Sequence, residues 1–189
     1  RVVYPCWSRA RFQSKCLKSM KDKMKDYRVF YQKLTAPLRR RPSLLKVLIC
    51  FNRLMTLLMP LVYAGVLFNA YLVGTWRGLL LYLLLPAAGF IVLSLVRQRI
   101  NQPRPYESWD FSPLLAKDVS GESMPSRHVF SSTIIAMSAL SLSPWFGFIL
   151  LFLTALLALV RVLGGVHYPK DVLVGYACGL LVGSLLYLF

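Results

Sequence analysis

Hydrophobic and polar positions alternate along this chain in long blocks. Four hydrophobic runs, 54–73, 79–96, 145–160 and 172–189, are each bounded by polar or turn residues, and a weaker fifth covers 129–142. A helix rises ~1.5 Å per residue, so about 20 residues cross a hydrocarbon core of ~30 Å. The longer runs are therefore predicted as membrane spans, and the shorter ones need flanking polar residues at the interface. The fifth run carries Ser131, Ser132, Ser138 and Ser141 with Ala136 and Ala139, small residues that permit close helix contact, and reads as the interior helix of a bundle. Sustained alternation and repeated hairpin turn signals are missing, which excludes a strand reading.

Threading these runs in order makes a specific prediction. The 79–96 run ends at Arg97, the 129–142 run begins after His128, the 145–160 run ends at Arg161 and the 172–189 run begins after Asp171, all on one face of the membrane. The opposite face receives only the short connections 74–78 and 141–144. Polar chemistry is thus concentrated on one side, as an interfacial active site requires.

Ahead of the first run, Leu17, Met20, Met24, Tyr27, Tyr31 and Leu34 recur at steps of three and four. They form one apolar stripe on a helix whose other faces carry Lys15, Lys18, Lys21, Lys25 and Arg28. Such a helix suits a membrane surface, with a solvated or partner-binding arm as the alternative. Pro37, Arg39 to Arg41 and Pro42 are expected to break it, and Ser43 to cap the next helix.

Composition sharpens this picture. At 57% hydrophobic residues and mean hydropathy +0.55, the 189-residue chain is too apolar for an ordinary soluble core. Residues 1–46 hold fourteen Lys/Arg against two Asp, whereas 47–189 hold nine against five acidic residues. A basic arm attached to a hydrophobic body meets anionic lipid rather than nucleic acid. Two regions are expected: a basic interfacial segment, 1–46, and a transmembrane domain, 47–189. The four cysteines show no paired spacing, so no disulfide framework is expected, and no signal peptide is visible.

The candidate chemistry lies at the shared face. Arg97, Arg104, Arg127 and Arg161 can converge there with His128 and His167, the chain's two histidines. Arginine's planar fork donates paired, charge-assisted hydrogen bonds to phosphate and stays ionised. Arginines with two histidines and no carboxylate cluster point to phosphoryl transfer without a metal or other cofactor. Ser126 can cap the helix after Pro125, leaving first-turn amides aimed at an anion. Asp171, four residues after His167, can reach back to the imidazole, fix its tautomer and leave the other nitrogen as nucleophile. Glu107, Asp110, Asp118 and Glu122 match no ligand spacing and read as a solvated loop, with Trp109 and Phe111 placed to dip it into the interface.

Three stretches carry a resemblance. R-x6-R-P at Arg97 to Pro105, P-S-R-H at Pro125 to His128, and R-x5-H-x3-D at Arg161 to Asp171 resemble the motifs of the type 2 phosphatidic acid phosphatase superfamily. The resemblance covers roughly residue 54 to the C-terminus. It implies an all-α integral membrane bundle of about five to six transmembrane helices, acting as a metal-independent lipid phosphatase. Arg97, Arg104 and Arg161 would bind phosphate, assisted by Ser126 and the amide of Arg127. His167 would form a phosphohistidine, Asp171 would orient it, and His128 would protonate the leaving oxygen. Three departures bear on rate and substrate: Arg97 stands for the usual lysine, Arg127 for glycine and Val160 for serine.

Substrates implied by the resemblance are phosphatidic acid, phosphatidylglycerol phosphate or a polyprenyl diphosphate such as the undecaprenyl carrier. The related vanadium haloperoxidases share the motifs but are soluble. The alternative from another class is a non-catalytic membrane protein that uses the site to bind phospholipid or a partner. A lipid phosphate and the bilayer are the expected partners; nucleic acid is not, and a homodimer is left open. The family's usual first span would lie upstream of Arg1 or be replaced by the amphipathic helix. The resemblance favours a plasma-membrane protein with its site on the external face. Five spans after a non-crossing N-terminus put the basic segment on that same face, whereas the positive-inside rule wants it in the cytoplasm. Either the N-terminal helix partly crosses or the active face is cytoplasmic.

Overall fold

The computed structural model describes residues 27–109, 111–116 and 120–188, and among them every regular element is helical. Helix α1 covers residues 27–40, followed by α2 (Pro42–Val73), α3 (Trp76–Ile100), the single turn α4 (Pro105–Ser108), α5 (Arg127–Leu140), α6 (Pro144–Leu163) and α7 (Pro169–Ser184). A 3-10 turn, Leu185–Tyr187, ends the described chain. Helices are what apolar runs must form in lipid, where each backbone donor and acceptor has to be satisfied within its own segment. Four stretches are long and apolar enough to cross a membrane: Pro42–Val73, Trp76–Ser108, Pro144–Leu163 and Pro169–Tyr187. The protein is an all-α integral membrane bundle.

Helix α5 is the axis of that bundle. Its 14 residues span only ~21 Å, and ten of them are buried against α2, α3, α6 and α7. Polar residues in this interior return their hydroxyls to the backbone, as Thr133 does to the Val129 carbonyl (2.8 Å) and Ser138 to that of Ile134 (2.9 Å). On α7, Gly175, Gly179 and Gly183 recur every fourth residue and lie against α5. A Cβ on Gly175 would stand 2.8 Å from the Ser126 carbonyl oxygen, and one on Gly179 2.5 Å from Thr133 Cβ. Small residues therefore let two backbones touch where lipid supplies no hydrophobic drive to association.

These contacts set the height of the site. Gly147 of α6 abuts Leu140 of α5 at the far end of the bundle. Equal rise along both helices then brings Arg161 level with Ser126, each fourteen residues from that contact. The threaded prediction holds: the ends of α3 and α6 and the starts of α5 and α7 share one face, and short turns join the helices at the other.

Local expectations fared differently. Helix α2 begins at Pro42, twelve residues before the hydrophobic run, with Arg41 at the cap position in place of Ser43. Helix α1 continues through Pro37 to residue 40, because Tyr31, Thr35 and Leu38 pack inward and offset the lost backbone bond. The part of the N-terminal stripe before Tyr27, with Lys15 to Lys25, lies outside the described residues. Of its described part, Tyr27 and Tyr31 face protein, whereas Leu34 is exposed.

Candidate active site

Three arginines from separate segments are buried at the shared face. Arg97 is 1% exposed, Arg104 3% and Arg161 2%. Arg97, one turn from the end of α3, donates through Nη1 to the Pro125 carbonyl and lies 3.9 Å through Nε from Glu122. Arg104, at the start of α4, donates from Nε to the Gly121 carbonyl at 3.1 Å. Arg161, in the last turn of α6, reaches Asn52 of α2 through Nη1 and His167 Nε2 through Nη2, both at 3.5 Å. Buried guanidinium groups drawn together repel one another, an arrangement that an anion between them relieves.

His167 stands in the turn between α6 and α7 and is 1% exposed. The sequence predicts a direct bond from Asp171 to its imidazole; the structure inserts a hydroxyl. Ser123 donates to Asp171 Oδ2 while its Oγ lies 3.5 Å from His167 Nδ1, whereas the imidazole and carboxylate themselves are 3.9 Å apart. The same carboxylate oxygen accepts the Tyr168 amide at 3.0 Å, so Asp171 also closes the first turn of α7. With Nδ1 as donor to Ser123, Nε2 presents its lone pair toward Arg161. Burial lowers the His167 pKa to about 4 against the opposing pull of Asp171, and the Arg161 and Arg104 charges act in the same direction as burial. The imidazole is therefore neutral at neutral pH, the state a nucleophile requires.

Ser126 occupies the cap position of α5 without capping it. Its buried hydroxyl finds no hydrogen-bond partner among the described residues, and its amide donates to the Asp171 carbonyl at 3.0 Å, tying the second motif to the third. A hydroxyl at the edge of an arginine cluster is placed for a ligand oxygen.

Arg127 and His128 open α5 and are only half-buried. Both line a cavity of about 290 Å³ walled by Met55 and Met59 of α2, Phe90 of α3 and Ile135 of α5. A second cavity of about 280 Å³ shares Phe90, Ser131 and Ile135 with it and continues along α5 past Tyr63 and Pro86. Pro60 of α2 lines the first and Pro86 of α3 the second, so each of these two helices contributes a helix-interior proline to the path. A mostly apolar channel therefore leads from His128 into the bundle.

The described part of the loop between α3 and α5 is tied down by hydrogen bonds, although Glu107 is itself exposed. Glu107 accepts the Arg104 amide (2.7 Å) and the Gly121 amide (2.8 Å), and Glu122 faces Arg97. Asp110 and Asp118 lie outside the described residues. Trp109 and Phe111, expected at the interface, pack against Tyr27 and Tyr31. Sequence reasoning passed over Ser123 and Asn52. Ser123 precedes the P-S-R-H stretch by two residues, which was its one signal; Asn52, one of two asparagines on the apolar α2, had only its burial cost to mark it.

Comparisons with known proteins agree with this geometry. The chain matches the Aquifex aeolicus LpxE structure with a TM-score of 0.64 at 23% identity, covering 85% of this chain and 93% of that one. It matches a "transmembrane PAP2 type phosphatidylglycerolphosphate phosphatase" from Bacillus subtilis with a TM-score of 0.61 at 26% identity, covering 86% and 85%. No curated protein sequence matches. The sequence model of the PAP2 superfamily matches residues 76–189, from α3 to the C-terminus and through all three motifs, and the chain belongs to that superfamily.

Proposed function

We propose that this membrane phosphatase hydrolyses a lipid phosphate through a phosphohistidine on His167. One observation carries the reading: a closed cluster of three arginines around a neutral imidazole lies beside an apolar channel whose mouth is lined by His128. Phosphate would bind to Arg97, Arg104 and Arg161 with the Ser126 hydroxyl, and the lipid tail would lie in the channel. Nε2 of His167 attacks phosphorus as the P–O ester bond breaks, and His128 delivers a proton to the departing lipid oxygen. That proton contributes about 10²–10⁴-fold, because an alkoxide is a poor leaving group. Water, deprotonated by His128, then attacks phosphorus, breaks the P–N bond and releases inorganic phosphate. The arginines supply the positive charge that the transferring group needs.

Phosphate release by purified protein in detergent with excess chelator, from phosphatidic acid and from undecaprenyl diphosphate, tests this. Release that resists chelator and disappears in His167→Ala is expected, and the faster substrate names the lipid. A folded protein that binds lipid phosphate and releases nothing would establish the binding-only alternative.

Charge favours the cytoplasmic side for the site. Helix α1 rests on the active-face loops, so Arg28, Lys33, Arg39, Arg40 and Arg41 belong to that face, while Arg77 is the one described Lys or Arg at the opposite end. The positive-inside rule then opposes the external face that family resemblance favours. In a chain with its four native cysteines replaced by alanine, Ser120→Cys should react with an impermeant maleimide only after the cells are opened. Labelling in intact cells would place the site outside.

A further inference from the structure

Helix α1 lies outside the region matched to the superfamily, yet its inner face is spent on the turn that carries His167. We propose that α1 is a positioning element of the active site and that Tyr31 holds the 163–167 turn in register for attack by His167. The inference rests on the phosphohistidine reading above.

Four residues of α1 at steps of four and three face the protein. Tyr27 is half-buried, Tyr31 1% exposed and Thr35 0%, and Leu38 packs with Leu48, Leu115 and Val166. The outward face keeps Val29, Phe30 and Lys33 exposed. An amphipathic helix that merely rested on lipid would not bury tyrosine and threonine so completely on its protein side.

Tyr31 makes the closest engagement. Its hydroxyl donates to the Leu163 carbonyl at 3.0 Å, satisfying a group left open by the end of α6. Its ring stacks on Phe111 with centroids 4.2 Å apart. Gly165 sits at φ +76°, and a Cβ there would come within 2.5 Å of the Tyr31 hydroxyl, so the turn has room for this tyrosine only because position 165 is glycine. Val166, fully buried, follows, and then His167.

The far side of the same turn is held as well. Tyr27 lies 5.0 Å from the Trp109 ring and 5.4 Å from that of Tyr168. Trp109 Nε1 donates to the Tyr168 hydroxyl at 2.8 Å, and the Tyr168 amide donates to Asp171. Arg39 donates to the Ser112 carbonyl at 2.7 Å, and the amides of Leu114 and Leu115 reach the Gly164 carbonyl. Residues 163–168 are thus gripped by α1 directly and through Trp109 and the 111–115 segment, which α1 also holds. A shift of about 1 Å in a reacting atom costs on the order of 100-fold in rate, so loosening this grip should show in the chemical step.

The test compares the full-length wild type with Tyr31→Ala, Tyr31→Phe and Arg39→Ala, using steady-state release from phosphatidic acid and rapid-quench trapping of the phosphoenzyme. Tyr31→Ala should lower kcat and phosphoenzyme formation together by about 30–100-fold with KM nearly unchanged. Tyr31→Phe, which keeps the ring on Phe111, should restore most of that loss. A folded Tyr31→Ala with wild-type kcat, or one that raises KM alone, overturns the proposal. Where Tyr31→Ala does not fold, Arg39→Ala decides: reduced kcat at constant KM, with Tyr31→Phe closer to wild type, supports the assignment, and wild-type kcat in Arg39→Ala overturns it. An inactive wild type would overturn the phosphatase reading itself, whereas an active wild type with indifferent variants removes only the role of α1.

Discussion

The two histidines of this chain occupy opposite kinds of surroundings within one site. His167 is sealed among polar groups, with Arg161 on one nitrogen and Ser123 leading to Asp171 on the other. His128 is half-buried and lines a largely apolar channel. Charge is fixed around the first and space is kept beside the second. On the proposed mechanism the difference fits one residue type to two tasks: a nucleophile needs a fixed, neutral, oriented imidazole, whereas an acid for a lipid leaving group must stand where the tail departs.

Removing each imidazole separates those tasks most sharply. His167→Ala should abolish turnover and phosphoenzyme alike, a loss on the order of 10⁴-fold or more, because no other group can take its bond to phosphorus. His128→Ala should cost about 10²–10⁴-fold on an alkyl phosphate. On an aryl phosphate, whose leaving group needs no proton, its loss in phosphoenzyme formation and kcat/KM should shrink towards wild type, with hydrolysis of the phosphoenzyme still slowed, while the loss of His167→Ala does not shrink. Equal losses of His128→Ala on both substrates would show that the two histidines are not divided in this way.

Ser123→Ala probes the sealed side alone. The hydroxyl donates to the Asp171 carboxylate, as the Tyr168 amide does, and lies 3.5 Å from His167 Nδ1. A hydrogen bond to a charged group contributes about 1.5–3 kcal/mol, so kcat should fall roughly 10–100-fold with KM little changed. Asp171 held in place by the Tyr168 amide alone would still leave some orientation. A wild-type rate would mean that the carboxylate reaches the imidazole directly during turnover.

This serine also marks where the sequence stopped being legible. Hydrophobic blocks and their polar boundaries were enough to place the ends of α3, α5, α6 and α7 on one face, because a span has few ways to thread a bilayer. Arg97, Arg161, His167 and Asp171 followed from that threading. Ser123 did not, since its contact with Asp171 bridges 48 residues and depends on how an irregular loop returns. Periodicity revealed that α1 had an apolar stripe but not what it faced: tyrosines serve a headgroup layer and a protein groove equally well. Pro37 read as a break because the local rule charges for a lost backbone bond and knows nothing of the packing on Tyr31 and Leu38 that outweighs it. The glycine step at 175, 179 and 183 was in plain view, and its meaning waited on the neighbouring helix.

The channel side is tested by filling it. Thr56 lines the cavity from α2 and is itself exposed, its hydroxyl bonded within its own helix at 2.8 Å, so Thr56→Trp should leave the fold intact. A tail excluded from part of its path should raise KM for phosphatidic acid about tenfold, the equivalent of one or two lost methylene contacts. A soluble aryl phosphate, which never enters the channel, should be unaffected. Parallel effects on both substrates would place the tail elsewhere.

The smallest expected effect is a displacement on the pH axis rather than a loss of rate. His167 in the free enzyme is held to about 4, chiefly by burial and then by Arg161 and Arg104. Attack needs the neutral ring, so the nucleophile is competent above about pH 4 and is lost as pH falls through that value, well below the 6.5 of an exposed histidine. The acid limb of kcat/KM that belongs to His167 should therefore lie near pH 4. Once phosphate is bound, its negative charge beside the ring favours the imidazolium, so the corresponding limb of kcat should move upward. In His128→Ala, measured with an aryl phosphate, this acid limb of kcat/KM should stay in place, because it belongs to His167. An acid limb near the ~6.5 of a free imidazole in that variant would mean that water reaches His167, and the contrast between a sealed nucleophile and an open acid would fail.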